Sequence, residues 1–410
     1  MIKIKGMDNH LTLFSYMAVI YILLFSGSGI QVISTRFASY LLIAVTLILL
    51  FLFIIQKRIS VTFFVPVILI IGIICTMIVT DDMVKLDSYI VLICIIISGY
   101  ILSISNIKQK IFSAYSNVIY VIAIIGIVGY LLVNSGIGLP FEIIRISDSG
   151  LYKYHTIYIF NYIEGLAERN CGVFWEPGIF ASHLILAIQY EIFSRRKNVL
   201  RLLIEIIAVV TCNSSAVFFL LIIVFAELLA SSDKNARYKT VKTVIGVIII
   251  LTLFIVALNI DYLVYYFNLE NNPYIEKLLS DNIKNSTRYL SLAYNWRMFL
   301  QQPIFGNGLT NAVTSIPFAN LTPDTTTFLF MLNAFGIIGC LFTILTIKGT
   351  MGLKFLTWYE KILLLSTVVI ILNKETHYVM LLSWFMIFSF SFSSQWKYPT
   401  TPLEEEGRKC

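Results

Sequence analysis

The residues of this chain best suited to chemistry lie in ERNCGVFWEPGIFASHLILAIQY, Glu168 to Tyr190. Glu176 stands before Pro177 and Gly178 at the start of an apolar segment, with Arg169 seven residues upstream and His183 seven downstream. Proline suits the first helical position, so the segment reads as a helix with Glu176 at its positive end, where the dipole favours an anion. A carboxylate there is either a helix cap or a base that takes a proton from a hydroxyl. His183 would share its face about 10 Å deeper by helical rise, as a second titratable group or as a hydrogen-bonded core residue. Gly178 and Ala181 would let another backbone or a substrate come close.

A second group lies in NSTRYLSLAYNWRMFLQQPIFGNGLTNA, Asn285 to Ala312. Ser286 reads as a helix cap, Pro303 as a stop, and Gly306 with Gly308 as a turn, which predicts a short helix at the membrane surface. Its Arg288 and Arg297 are nine apart, so on one unbroken helix they point about 180° away from each other. Guanidinium stays charged and grips phosphate with two parallel bonds, so Arg169 and Arg297, with Arg288 as a weaker third, are candidates for a lipid-linked pyrophosphate. Lipid head groups would satisfy them equally. A third group, NKETHY from Asn373 to Tyr378, brings Lys374, Glu375 and His377 together, and a tight polar turn accounts for it.

These groups have to be held by a chain of 410 residues that is 58% hydrophobic and 13% charged. Soluble domains are about 45 to 50% apolar, so this composition belongs to a membrane protein. Apolar runs near 20 residues recur from end to end, each long enough to cross a bilayer. The expected fold is all-α and polytopic, with about twelve transmembrane helices near 11–30, 37–55, 61–79, 86–104, 116–134, 174–193, 199–212, 215–230, 241–260, 325–347, 355–373 and 376–394. They form one membrane domain over 1–394, followed by a short tail over 395–410. The first run is too long for an ordinary signal-peptide core and is read as a retained helix.

Orientation follows from the rule that short cytoplasmic loops collect Lys and Arg. With both termini inside, the cytoplasmic side receives most basic residues, among them Lys57, Arg58, Arg195, Arg196 and Lys197, against Arg36, Lys85 and Lys374 in short outer loops. The arrangement requires a helix break at TCNSS, Thr211 to Ser215. Two long loops, about 134–173 and 261–325, then face outward. The six cysteines and four histidines show no ligand spacing, so no metal, cofactor or disulfide framework is expected. The placement of the basic residues gives no nucleic-acid surface, and the lipid bilayer is the partner the composition implies.

With these residues laid out, the chain resembles the bacterial O-antigen and capsule repeat-unit polymerases (Wzy), within the superfamily that includes the O-antigen ligases. Four stretches carry the resemblance: RNCGVFWEPGIFA, the helix break at TCNSS, NWRMFLQQPIFGNG, and NAFGIIG from Asn333 to Gly339. Arg297 is followed after ten residues by Gly308, whereas neither Arg145 nor Arg169 has a glycine at that spacing, so the family's paired motif is met once. The resemblance implies a metal-independent glycosyltransferase at the outer face of the bacterial cytoplasmic (inner) membrane. Its substrates would be an undecaprenyl-pyrophosphate-linked glycan as donor and one lipid-linked repeat unit as acceptor. Arg169, Arg297 and Arg288 would then hold pyrophosphate, while Glu176 or His183 would accept the acceptor's proton. A chain-length regulator and a flippase are left open as partners.

Three other readings stand beside this one. An O-antigen ligase is the nearest, although two separated outer loops, each with an arginine, favour the polymerase. A flippase or transporter needs no base and should place charges along a path at midplane depth, where absence of an internal repeat also counts against it. A structural membrane subunit would use the outer loops as docking surface.

Overall fold

The computed structural model describes residues 5–56, 60–147, 152–165, 169–193, 198–214, 220–226, 287–314 and 323–392. Away from water a helix satisfies its backbone hydrogen bonds within the segment, as long apolar runs require, and the fold is mostly helical. Among the described residues five helical segments are long and apolar enough to cross a membrane: Thr35–Ile55, Val61–Val79, Met83–Ile104, Lys108–Asn134 and Thr327–Met351.

Helix α1 (Lys5–Leu24) stops short of residue 30 because the chain turns at Gly27, whose φ is +94°. A Cβ at Gly27 would lie 2.5 Å from Ile179 Cγ2, so only glycine lets this turn pack so tightly. A short α2 (Gly29–Ile33) follows, then α3 (Thr35–Ile55), α4 (Phe64–Val79) and α5 (Leu86–Ile104), close to their expected bounds. Helix α6 (Lys108–Asn134) begins earlier than residue 116. The expected loop over 134–173 contains three short strands, β1 (Ile143–Ile146), β2 (Lys153–Thr156) and β3 (Asn161–Ile163), in one antiparallel sheet of order β1-β2-β3. Arg145 pairs with Tyr154, and His155 with Tyr162.

Helix α7 (Pro177–Phe193) starts at the proline, and α8 (Val199–Thr211) ends where the TCNSS break was expected, with Asn213 at φ +46°. Residues 220–226 are helical. The expected helix over 241–260, most of the loop over 261–325, Ser286 and the tail lie outside the described residues. Helices α9 (Thr287–Gln301) and α10 (Gly308–Thr314) flank the Pro303 and glycine turn. The expected helix over 325–347 is divided into α11 (Thr327–Phe335), a 3-10 turn Gly336–Gly339 and α12 (Cys340–Met351). Helices α13 (Trp358–Leu372), opened by a capping box of Thr357 and Glu360, and α14 (Leu381–Ser391) are the last helices among the described residues.

The core is centred where α5, α12 and α14 meet. Gly99 allows the close approach, since a Cβ there would sit 2.8 Å from Trp384 Cβ. Phe388 meets the Tyr100 ring edge-on with centroids 5.8 Å apart. Outside, Leu47, Phe51 and Ile54 of α3 form one exposed apolar face, a surface suited to hydrocarbon.

Candidate functional site

The mouth of α7 is built by backbone hydrogen bonds from two distant segments. Trp175 N donates to Gly27 O at 3.0 Å and Gly29 N to Val173 O at 2.9 Å, tying the approach to α7 against the α1–α2 turn. Buried Asn170 ties it to the end of α8: its N donates to Thr211 O at 3.0 Å and its Nδ2 to Thr211 Oγ1 at 2.9 Å. Asn170 Oδ1 accepts from Gly172 N at 3.0 Å, and Gly172, at φ +55°, makes the turn. RNCGVFWEP and TCNSS are therefore one unit, in which the helix break supplies the carbonyl and hydroxyl that hold the loop carrying Arg169 and Glu176.

Glu176 is half-buried, and its carboxylate makes no hydrogen bond or ion pair among the described residues. The cap reading is therefore not met. The groups around it come from four elements. Tyr152 and Tyr154 lie on the sheet side, and burial pushes both phenols up, with the Glu176 charge adding to it. Asp324, in the 3-10 turn Pro323–Thr325 before α11, has its carboxyl raised by burial; Glu176 raises it further while Lys85, ahead of α5, opposes. Lys374 and Glu375, after α13 in the stretch read as a tight polar turn, are buried at 2% and 8% exposure. Lys374 Nζ donates to Gly178 O at 3.3 Å. A Cβ on Gly178 would lie 2.9 Å from both Glu375 Oε1 and Lys374 Cε, so what the small residue admits is this lysine and carboxylate.

Arg169 is half-buried beside the Cys171 and Cys212 thiols, and its Nε is enclosed without a hydrogen-bond partner. The mouth thus brings together carboxylates at Glu176, Asp324 and Glu375 with cations at Arg169, Lys85 and Lys374. A carboxylate with free lone pairs can accept a proton, and a buried guanidinium donor can hold an oxyanion.

The two later motifs also form one unit. Asn307 N donates to Asn333 O at 2.8 Å, Asn307 Nδ2 to Asn333 Oδ1 at 2.9 Å, Asn333 Nδ2 to Asn295 Oδ1 at 2.8 Å, and Asn295 Nδ2 to Thr326 Oγ1 at 2.7 Å. Gly306 and Gly308 take φ of +73° and +78°, and a Cβ on Gly306 would sit 2.5 Å from Ala334 O. Buried Asp82 then receives the start of α10: its Oδ2 accepts from Thr310 N at 2.8 Å and from Tyr89 Oη at 2.9 Å. This lattice sets the turn that carries Asp324.

His183 does not belong to the mouth. Its Nε2 lies 2.8 Å from Ser26 O, which can only accept, and its Nδ1 lies 2.8 Å from Tyr115 Oη. Stacked on Phe174 with centroids 4.3 Å apart and 1% exposed, it has no nitrogen left for a substrate proton, because two turns into α7 its face meets the α1–α2 turn and α6. Arg297 is exposed on α9, opposite buried Ser291 and Asn295, and makes no hydrogen bond or ion pair among the described residues. Helix α9 is unbroken, so Arg288 starts on the other side of it; its side chain lies outside the described residues. Asp324, Tyr152 and Tyr154 were not anticipated. TPDTTT reads as an ordinary Pro-Asp turn, and nothing in the sequence joins it to Glu176.

Among the described residues no group of three His, Cys, Asp or Glu side chains is placed to hold a metal. No protein-family model matches the chain, and no curated protein matches it.

Proposed function

We propose that this chain is a glycosyltransferase of twelve membrane spans with both termini cytoplasmic. It polymerises undecaprenyl-pyrophosphate-linked oligosaccharide repeat units at the outer face of the bacterial cytoplasmic membrane. The observation that carries this reading is the uncommitted, half-buried Glu176 carboxylate at the start of α7 with Arg169 in the loop leading to it. An acceptor hydroxyl gives its proton to Glu176 while its oxygen bonds to the donor's anomeric carbon. The bond from that carbon to the pyrophosphate oxygen breaks, and undecaprenyl pyrophosphate leaves as an anion. Arg169 meets that charge, with Arg297 approaching from α9, while Arg288, on the opposite side of that unbroken helix, takes no part. Asp324 and Glu375 orient the cations.

A second reading, a flippase or transporter, is favoured by the buried ionic group of Arg201, Glu191 and Glu205. One experiment separates them: mass analysis of lipid-linked and surface glycans from a strain lacking the gene, restored with wild type or Glu176→Ala. Surface glycan held at one repeat and lengthened only by wild type supports polymerisation. Long polymer accumulating on the lipid carrier identifies a ligase, and single repeats retained at the cytoplasmic face identify a flippase.

A further inference from the structure

Away from the mouth, α6, α7 and α8 enclose a charged group that glycosyl transfer does not use. Arg201, 11% exposed, lies in the first turn of α8 and serves two carboxylates. Its Nη1 is 3.4 Å from Glu191 Oε1 of α7, and its Nε is 3.2 Å from Glu205 Oε1 one turn further along α8. The remaining donors go to α6: Nη1 to Asn117 Oδ1 at 2.9 Å and Nη2 to Ser116 Oγ, with the Tyr120 ring 5.2 Å from the guanidinium carbon. Ser116 Oγ in turn donates to Glu191 Oε1 at 2.7 Å.

Glu205 is the unequal member. It is 0% exposed, its Oε1 shares one guanidinium with Glu191, and its Oε2 is buried with no hydrogen-bond partner. The groups facing it are Arg201 on its own helix, Glu191 from α7 and Tyr115 from α6, while Ser116, Asn117 and Tyr120 of α6 surround the shared guanidinium. Leaving a full charge with a bare oxygen in such a place costs far more than leaving a neutral hydroxyl there.

We infer that Glu205 is a proton-binding site within the membrane domain, and that ionising it loosens α8 from α6 and α7. The proton sits on Oε2, and Oε1 keeps its bond from Arg201.

The test uses the full-length chain in detergent. The wild-type minus Glu205→Gln infrared difference at pH 7 should show loss of a protonated-carboxyl band; loss of carboxylate bands instead overturns the inference. Glutamine mimics the protonated side chain, so Glu205→Gln should melt with wild type at neutral pH. Wild type should then lose Tm relative to the variant as pH rises, because a proton held more tightly in the folded state is released at higher pH. A variant that melts no differently from wild type across pH overturns it, and so does Tm of wild type, but not Glu205→Gln, rising with sodium rather than potassium. Should Glu205→Gln fail to fold, Glu191→Gln decides: Arg201 then serves Glu205 alone, and the protonated-carboxyl band should vanish although Glu205 is present. Its persistence overturns the inference.

Discussion

At the scale of single residues, Glu176 and Asp324 are two carboxylates at one mouth with different surroundings. Glu176 makes no hydrogen bond that a glutamine would lose. Glu176→Gln should therefore leave Tm unchanged while lowering polymer formation by about 10²- to 10⁴-fold, the usual contribution of a positioned base. Chain length on purified lipid-linked repeat units measures it, and full activity would remove Glu176 from the mechanism. Asp324 has its carboxyl raised by burial, against Lys85. A carboxyl raised in the folded state contributes its stability at low pH and loses it as pH rises through the folded value. Asp324→Asn should thus track wild type least well at high pH, where the variant becomes relatively more stable, as read by Tm across pH.

At the scale of elements, the site depends on turns whose partners are far off in sequence. Gly306 combines a left-handed φ with a Cβ position 2.5 Å from Ala334 O, a backbone atom fixed by the Asn307 and Asn333 hydrogen bonds next to it. Gly136 has a similar φ of +77° but nothing within 4 Å of its Cβ position. Gly136→Ala should cost only the conformational strain of about 1 to 2 kcal/mol, and Gly306→Ala clearly more, by denaturant titration in detergent. The same contrast explains what could be read in the sequence. Apolar runs announce helices because burial is a property of each run alone, and the TCNSS break and the GNG turn are local chemistry. The ends of α1 and α11 are set by Gly27 and Gly336 against other segments, which no local pattern encodes. Strand β1, Ile-Ile-Arg-Ile, is exposed throughout and does not alternate, so that strand had no period to find. Asp324 sits in a turn held through the distant Asn295, Asn307 and Asn333 lattice, and His183 reads as a candidate because its partners Ser26 and Tyr115 are distant in the chain.

At the scale of the whole molecule, the polymerase reading requires the mouth of α7 to face away from the cytoplasm. The sheet after α6 and the mouth share one side, because the loop holding Glu176 is bonded directly to both: Asn161 N of β3 donates to Gly172 O at 2.7 Å, and Tyr154 Oη of β2 to Trp175 O at 3.2 Å. Phe141, 96% exposed beside that sheet, therefore reports the side of the mouth. Lys354, exposed between α12 and α13, reports the other side if an odd number of spans separates the two positions. The twelve-span layout sets five spans there, one of them the helix expected over 241–260. With the native cysteines replaced by serine, Phe141→Cys should react with a membrane-impermeant thiol reagent on intact spheroplasts, and Lys354→Cys only after lysis. Labelling of both on intact spheroplasts would mean an even number of spans in that stretch. Labelling of Lys354→Cys alone would turn the mouth toward the cytoplasm, where Glu176 would meet no extracytoplasmic glycan and the basic loops would lie on the side that positive charge disfavours.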